Sequence, residues 1–156
     1  MNVKVINSIL DAFSKTFKMA TNNMDIVIQK PVVDKGDNRS YEVVVTIGFI
    51  GDLDGNIHMG LSVESAKVIV SQMMMGMPVE KLDEMSLSAL GELGNMISGS
   101  IAINLEKLGY KINITPPSIM HGNNIIFIKD GISLRFPMNI DNKFSEEFFV
   151  VLKSSI

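Results

Sequence analysis

The sequence predicts an α/β fold: a single domain of two pseudo-repeated halves, each a helix plus an antiparallel β meander, with one long exposed helix. Three observations carry it. A helix-spaced apolar stripe opens the chain, alternating apolar segments follow it, and the order of helix then strands returns after residue 83. The halves share little literal sequence, so the repeat rests on element order.

Ile6, Ile9, Leu10, Phe13 and Phe17 recur at helical spacing across residues 3 to 20. "DIVIQKPVV" (25–33) reads as a strand, and "YEVVVTIGFI" (41–50) as a stronger one with Tyr41, Val43, Val45, Ile47 and Phe49 on one side. "GDLDG" (51–55) supplies turn chemistry before the alternating Ile57, Met59 and Leu61, so 41–50 and 56–62 form a hairpin. Ser62 caps a helix to about Met75, which Gly76 and Pro78 end. The longest helix runs from about Asp83 or Ser86 to Leu108, with Gly109 as its stop. Strands follow at "KINITPP", "NNIIFI", "ISLRFPM" and "EEFFVVLK", with Asp130–Gly131 as a hairpin turn between two of them. "VDKGDNRS" (33–40) is a polar loop and "HGNN" (121–124) a short turn; neither is a linker, so 1–156 reads as one domain.

Composition narrows the function classes. Of the 156 residues 46% are hydrophobic and 20% charged, which suits a folded chain rather than a disordered one. The net charge is −3 with both signs interspersed, so the clustered Lys and Arg of a nucleic-acid surface are missing. The absence of cysteine excludes disulfides, thiolate metal sites and a cysteine nucleophile. Lys4, Asp11, Lys15 and Lys18 interrupt any apolar run at the start, which argues against a signal peptide or membrane insertion and leaves the cytoplasm as the default location.

The long helix contains "SALGELGNMISG" (88–99), in which Gly91, Gly94 and Gly99 each cost a helix roughly 1 kcal/mol relative to alanine. Stepping 100° per residue, Ile97, Ile101, Leu105 and Leu108 fall within about 60° of Leu90, flanked by Leu87 and Leu93. That stripe is the core side. Ser88, Glu92, Asn95 and Gly99 fall within about 40° of the opposite pole. With Gly99 in the row and Gly91 beside it, the acid and the amide stand on a low shoulder that a flat or convex partner can approach. Gly94 faces inward, toward close packing with the sheet. Spacing alone leaves a second reading open, in which the acid and the amide merely keep a solvated face soluble.

At Ser88, Glu92 and Asn95 the sequence resembles the CheC/CheX/FliY family of response-regulator phosphatases, most closely its CheX branch. The family pattern is Asp or Ser, three residues, Glu, two residues, Asn, then about twenty-two residues to a Pro; here twenty-one separate Asn95 from Pro117, which receives no role. "GFIGDLDGNIHMGLS" and "EKLGY" extend the likeness along the chain. Some members carry the motif in both halves. The first helix here offers only Asp11 and Ser14 in "LDAFSK", so the resemblance implies one active centre per chain.

The resemblance implies a phosphatase for the aspartyl phosphate of a CheY-type response regulator. Such hydrolysis needs an in-line water and neutralised oxygen charge. The regulator is expected to bring its own Mg and lysine, so this chain needs no cofactor or metal. Asn95 can donate and accept at once and so hold a water toward phosphorus. Glu92 matches the family residue that pairs with the regulator's lysine, while Ser88, Gly91 and Gly99 frame the docking face. A homodimer joined through sheet edges is also implied. The alternative from another class is a non-catalytic adaptor that binds a response regulator or a flagellar switch component.

Other candidates read as structural. His58, at the outward phase of its strand, and His121, in a turn, lack ligand neighbours and read as surface residues. "GDLDG" lacks the remaining ligands of a calcium loop. "MMMGM" (73–77) reads chiefly as filling for irregular core space, with an adaptable binding surface as the minor reading.

Overall fold

Alternating apolar residues on four long strands make the sheet against which the helices pack. The computed structural model describes residues 2–36 and 39–153. Its elements are α1 (Val3–Ala20), β1 (Ile26–Ile28), β2 (Val32–Val33), β3 (Tyr41–Gly51), β4 (Gly55–Leu61), α2 (Val63–Met73), α3 (Glu84–Lys107), β5 (Ile112–Ile114), β6 (Ser118–Ile125), β7 (Ile132–Ile140) and β8 (Phe144–Leu152). The strands form one antiparallel sheet in the order β1-β7-β8-β4-β3-β5, with β2 also on β7 and β6 also on β3. No helix among the described residues is long and apolar enough to cross a membrane.

The halves are not self-contained meanders. β1 and β2 pair with β7, whereas β5 and β6 pair with β3. β4 and β8 lie side by side at the centre and join the two halves. Each long outer strand thereby has its open row of N–H and C=O groups covered by short strands from the other half.

On one face, Val43, Val45, Ile47 and Phe49 of β3 join Ile57, Met59 and Leu61 of β4 and Phe148, Val150 and Leu152 of β8. α1 and α3 cover this face. Phe13 of α1 stacks on Phe148 with ring centres 4.2 Å apart, and Asn104 of α3 donates its amide N–H to the Ser8 carbonyl at 3.0 Å, tying the two helices together. α3 also meets the sheet through Gly94. A Cβ there would lie 3.0 Å from the Pro117 Cβ and 3.4 Å from Val45 Cγ1. Inward packing of Gly94 is thus observed, and Pro117 gains a structural role that the sequence did not disclose.

Several strand boundaries differ from the sequence expectation. "DIVIQKPVV" forms two short strands, β1 and β2, on either side of 29–31, where Pro31 has no N–H to contribute. The 33–40 loop includes Asp37 and Asn38, which lie outside the described residues. "HGNN" is not a turn, and "NNIIFI" is not the strand: both fall differently because β6 begins earlier, with Ile119, Met120 and His121 opposite Val45, Val44 and Val43. The register then shifts between Tyr41 and Val43, with Ile125 opposite Tyr41, so Gly122 to Asn124 form an irregularity within the pairing. Asn124 takes φ 55° there. The Asp130–Gly131 hairpin is absent, since β6 pairs with β3 and the hairpin that does form joins β7 to β8 through Asp141 and Asn142, both at positive φ.

The segment after β6 instead lies over the opposite sheet face. Phe127 stacks on His58 at 4.2 Å and meets Phe149 edge-on at 5.0 Å. Lys129 sits over both Phe rings and pairs with Asp34. His58 is therefore 4% exposed, not a surface residue; Thr46 Oγ1 lies 2.9 Å from its Nδ1, and its Nε2 finds no hydrogen-bond partner among the described residues. Burial, aided by the Lys129 charge, pushes its pKa down to about 4.

Gly94→Leu should lower stability by about 2–3 kcal/mol in urea unfolding, because Pro117 and Val45 leave no room. Gly99→Ala, with nothing within 4 Å of the new Cβ, should raise it by up to about 1 kcal/mol. For His58, the unfolded ring takes a proton below its ordinary value of 6.5 while the folded ring resists until about 4, so stability is lost as pH falls through that window. Between pH 7.5 and 5 the loss from this group should be about 2 kcal/mol. Denaturation of His58→Leu at both pH values should show the pH-dependent loss reduced by about that amount.

Candidate active site on the long helix

The site is built on α3, so its ends matter first. Asp83 caps the start, accepting the Ser86 N–H at 2.9 Å, and the Ser86 backbone and hydroxyl bonds hold its carboxyl below the usual range. At the other end Lys107 lies in the last turn, the Tyr110 N–H returns to the Leu105 carbonyl at 3.0 Å, and Gly109 takes φ 92°. The helix therefore spans the expected residues, apart from Leu108, which is its partly exposed C-cap rather than a core residue.

Leu90, Leu93, Gly94, Ile97, Ile101 and Leu105 are buried against the sheet and α1, and that rotation sends the polar row outward. Ser88, Glu92 and Asn95 are exposed and Gly99 is half-buried. Among the described residues none of the Ser88, Glu92 or Asn95 side chains takes a hydrogen bond or ion pair. Ser98, one position before Gly99, is buried and donates to the Asn95 carbonyl at 3.0 Å.

The glycines divide. Gly99 has open space where a Cβ would stand, so the shoulder beside Asn95 is bare. Gly91 serves packing in part: a Cβ there would come within 3.3 Å of Ile119 Cδ1 on β6. With Gly94 beneath Pro117, two of the three glycines seat α3 against residues 117–119 and one keeps its outer face low.

Chemically, the ridge offers one carboxylate and one carboxamide about a helical turn apart, some 5–6 Å between Cβ atoms. It can position a water and accept a cationic side chain from a partner.

A hollow of about 490 Å³ between β3, β4, β7 and β8 involves no residue of α3. Its Glu146 and Glu147 carboxylates are both hydrogen-bonded, while Arg135 Nε finds no partner among the described residues. Glu147 accepts from the Tyr41 hydroxyl and from Arg135 and Arg39, and Glu146 accepts from the Ser62 N–H and the Ser65 hydroxyl. Burial, reinforced by the bond to Glu147, raises the Tyr41 pKa; burial also raises that of Glu146, against the Ser65 and Ser62 hydrogen bonds. His121 is exposed on β6. In "GDLDG" Asp54 accepts the Gly51 N–H, which is turn chemistry, and Asp52 accepts the Lys111 N–H, which ties the turn to the segment before β5. The methionine run splits: Met73 and Met74 pack on the core, while Met75 and Met77 are 83% and 63% exposed.

The comparisons with known proteins agree on one family. The family model for "Chemotaxis phosphatase CheX" matches residues 43–138. The CheY-P phosphatase CheX of Thermotoga maritima is 34% identical over 154 residues, covering 96% of this chain and 94% of its own. A CheC-like superfamily protein from Shewanella sp. PV-4 shares the fold with a TM-score of 0.85 at 24% identity, over 99% of this chain and 100% of its own. The CheX–CheY–BeF3–Mg complex from Borrelia burgdorferi contains a chain of the same fold, with a TM-score of 0.82 at 24% identity, over 98% of this chain and 100% of that one. The family match and the identity across almost the whole sequence place the molecule: it belongs to the CheX family of chemotaxis phosphatases.

Proposed function

We propose that this chain accelerates the loss of phosphate from the phosphorylated aspartate of a CheY-type response regulator. The single observation that carries the reading is the outward, unpartnered pair Glu92 and Asn95 on α3, in a chain of the CheX family. The names of the relatives support it: one is a CheY-P phosphatase, and another was solved with CheY, BeF3 and Mg.

In this reaction water attacks phosphorus, the bond from phosphorus to the aspartyl oxygen breaks, and inorganic phosphate and the free carboxylate leave. Asn95 accepts from the water through its amide oxygen and donates through its amide N–H, fixing the lone pair in line. Glu92 pairs with the regulator's active-site lysine; beside a phosphoryl group an unpaired carboxylate would repel, so pairing fits it better than general-base work. The regulator supplies Mg2+, which neutralises the spreading oxygen charge. Ser88, Gly91 and Gly99 belong to the docking face. That substrate makes the cytoplasm the place of action. The partner reading includes a homodimer joined through sheet edges, for which light scattering should give twice the chain mass.

Asn95→Ala should abolish the acceleration, a fall of a hundredfold or more in maximal rate, with an unchanged melting transition. Glu92→Ala should mainly weaken docking, raising the half-saturating concentration of phosphorylated regulator about 10- to 100-fold. Phosphate release from the regulators of the same cell, charged with acetyl phosphate, measures both. An adaptor would instead bind stoichiometrically and slow phosphate loss or leave it unchanged. Acceleration by Asn95→Ala equal to the unsubstituted protein would sink the mechanism.

A further inference from the structure

Between Glu84 and Glu106, α3 carries a single charge, Glu92. A helix face that meets water ordinarily carries charged residues opposite its core stripe. Stepping 100° per residue from Met85, positions Ala89, Glu92, Met96, Gly99 and Ile103 fall within about 40° of one line. The two ends of that line, Met85 and Ile103, are 63% and 58% exposed. They are 103 − 85 = 18 residues apart, or about 27 Å of helix. A standard interface of about 800 Å² per partner is roughly 30 Å across, so the line spans one such patch.

The loop between α2 and α3 extends the patch. Met77, 63% exposed, joins Met74, Pro78, Val79 and Met85 around a hollow of about 350 Å³, edged with charge at Glu80, Lys81 and Asp83. An apolar floor, a charged edge and unbranched, polarisable side chains make a surface that accepts an apolar side chain from a partner.

We propose that this hollow and the apolar line of α3 are the surface that sets affinity for the response regulator. Met77 and Met85 at one end and Ile103 at the other bracket Glu92 and Asn95, and they receive an apolar patch flanking the regulator's phosphorylated pocket. The inference rests on the phosphatase reading above and assigns the recognition half of that site. Its occupant is the regulator because the line passes through Glu92 itself, so whatever covers the ends also covers the reacting pair. Apolar contacts of this kind form equally in the ground state and the transition state, so they act on half-saturation and not on maximal rate.

Met85→Lys and Ile103→Lys, singly and together, test this against phosphorylated regulator in the phosphate-release assay. Each single variant should raise the half-saturating concentration at least tenfold with maximal rate within twofold, and Met85→Leu should restore it. Binding of the BeF3–Mg2+ form of the regulator should weaken in parallel. Half-saturation within twofold of the unsubstituted protein in the double variant would overturn the proposal while the phosphatase reading stands. A double variant that becomes a monomer by light scattering, with half-saturation unchanged, would assign the surface to a second copy of this chain and also overturn it. If the unsubstituted protein accelerates no regulator, the phosphatase reading falls and this proposal falls with it.

Discussion

The close approach of α3 to the sheet at Gly94 is the constraint on which the site depends. A side chain at that position would meet Pro117 and Val45, so only a bare backbone lets the helix sit this deep. Depth fixes rotation. With Leu90, Leu93, Ile97 and Ile101 taken into the core, the opposite pole has one direction left, and Glu92 and Asn95 point into solvent. Gly91 against Ile119 repeats the device one turn earlier, so two contacts from residues 117–119 hold the helix at the turns that carry the acid and the amide. The direction in which Glu92 and Asn95 point is thus set by the packing beneath them.

The elements that own their periodicity were legible in the sequence. The α3 stripe announced both the buried and the exposed face, and the β3–β4 hairpin followed from alternation and turn chemistry. What failed depended on partners distant in sequence. Gly122, Asn123 and Asn124 have turn composition, yet β3 offers an edge that draws them into pairing as an irregularity. "IIFI" is an unbroken apolar run of strand composition, but Phe127 lies over His58 and Phe149 on the opposite sheet face. His58 is outward in phase, as read, but that face is covered rather than wet. At the site, Ser88, Glu92 and Asn95 are exposed as the helical phase predicts, while Gly99 is half-buried. Gly91 was read as pure surface because its neighbour Ile119 lies on a strand that the sequence positioned wrongly. Pro117 had no legible role for the same reason.

Two polar regions of the molecule show opposite electrostatic logic. In the large hollow between β3, β4, β7 and β8, Glu147 is surrounded by Tyr41, Arg39 and Arg135, and Glu146 by the start of α2. Glu147 is neutralised by the two arginines, whereas Glu146 is held by hydrogen bonds from Ser62 and Ser65. On the outer face of α3, Glu92 and Asn95 have no such partners among the described residues.

The outer face of α3 is poor in stability by its own standard. Gly99 occupies open space, where alanine would favour the helix, and Met85 and Ile103 expose apolar surface that charged residues would serve better in an isolated protein. Such local choices run against helix stability and solubility at once, and they cluster on one line that includes Glu92. Folding alone gives no reason for that coincidence. A surface shaped for a second protein does, because there a missing side chain becomes clearance and an exposed methionine becomes contact.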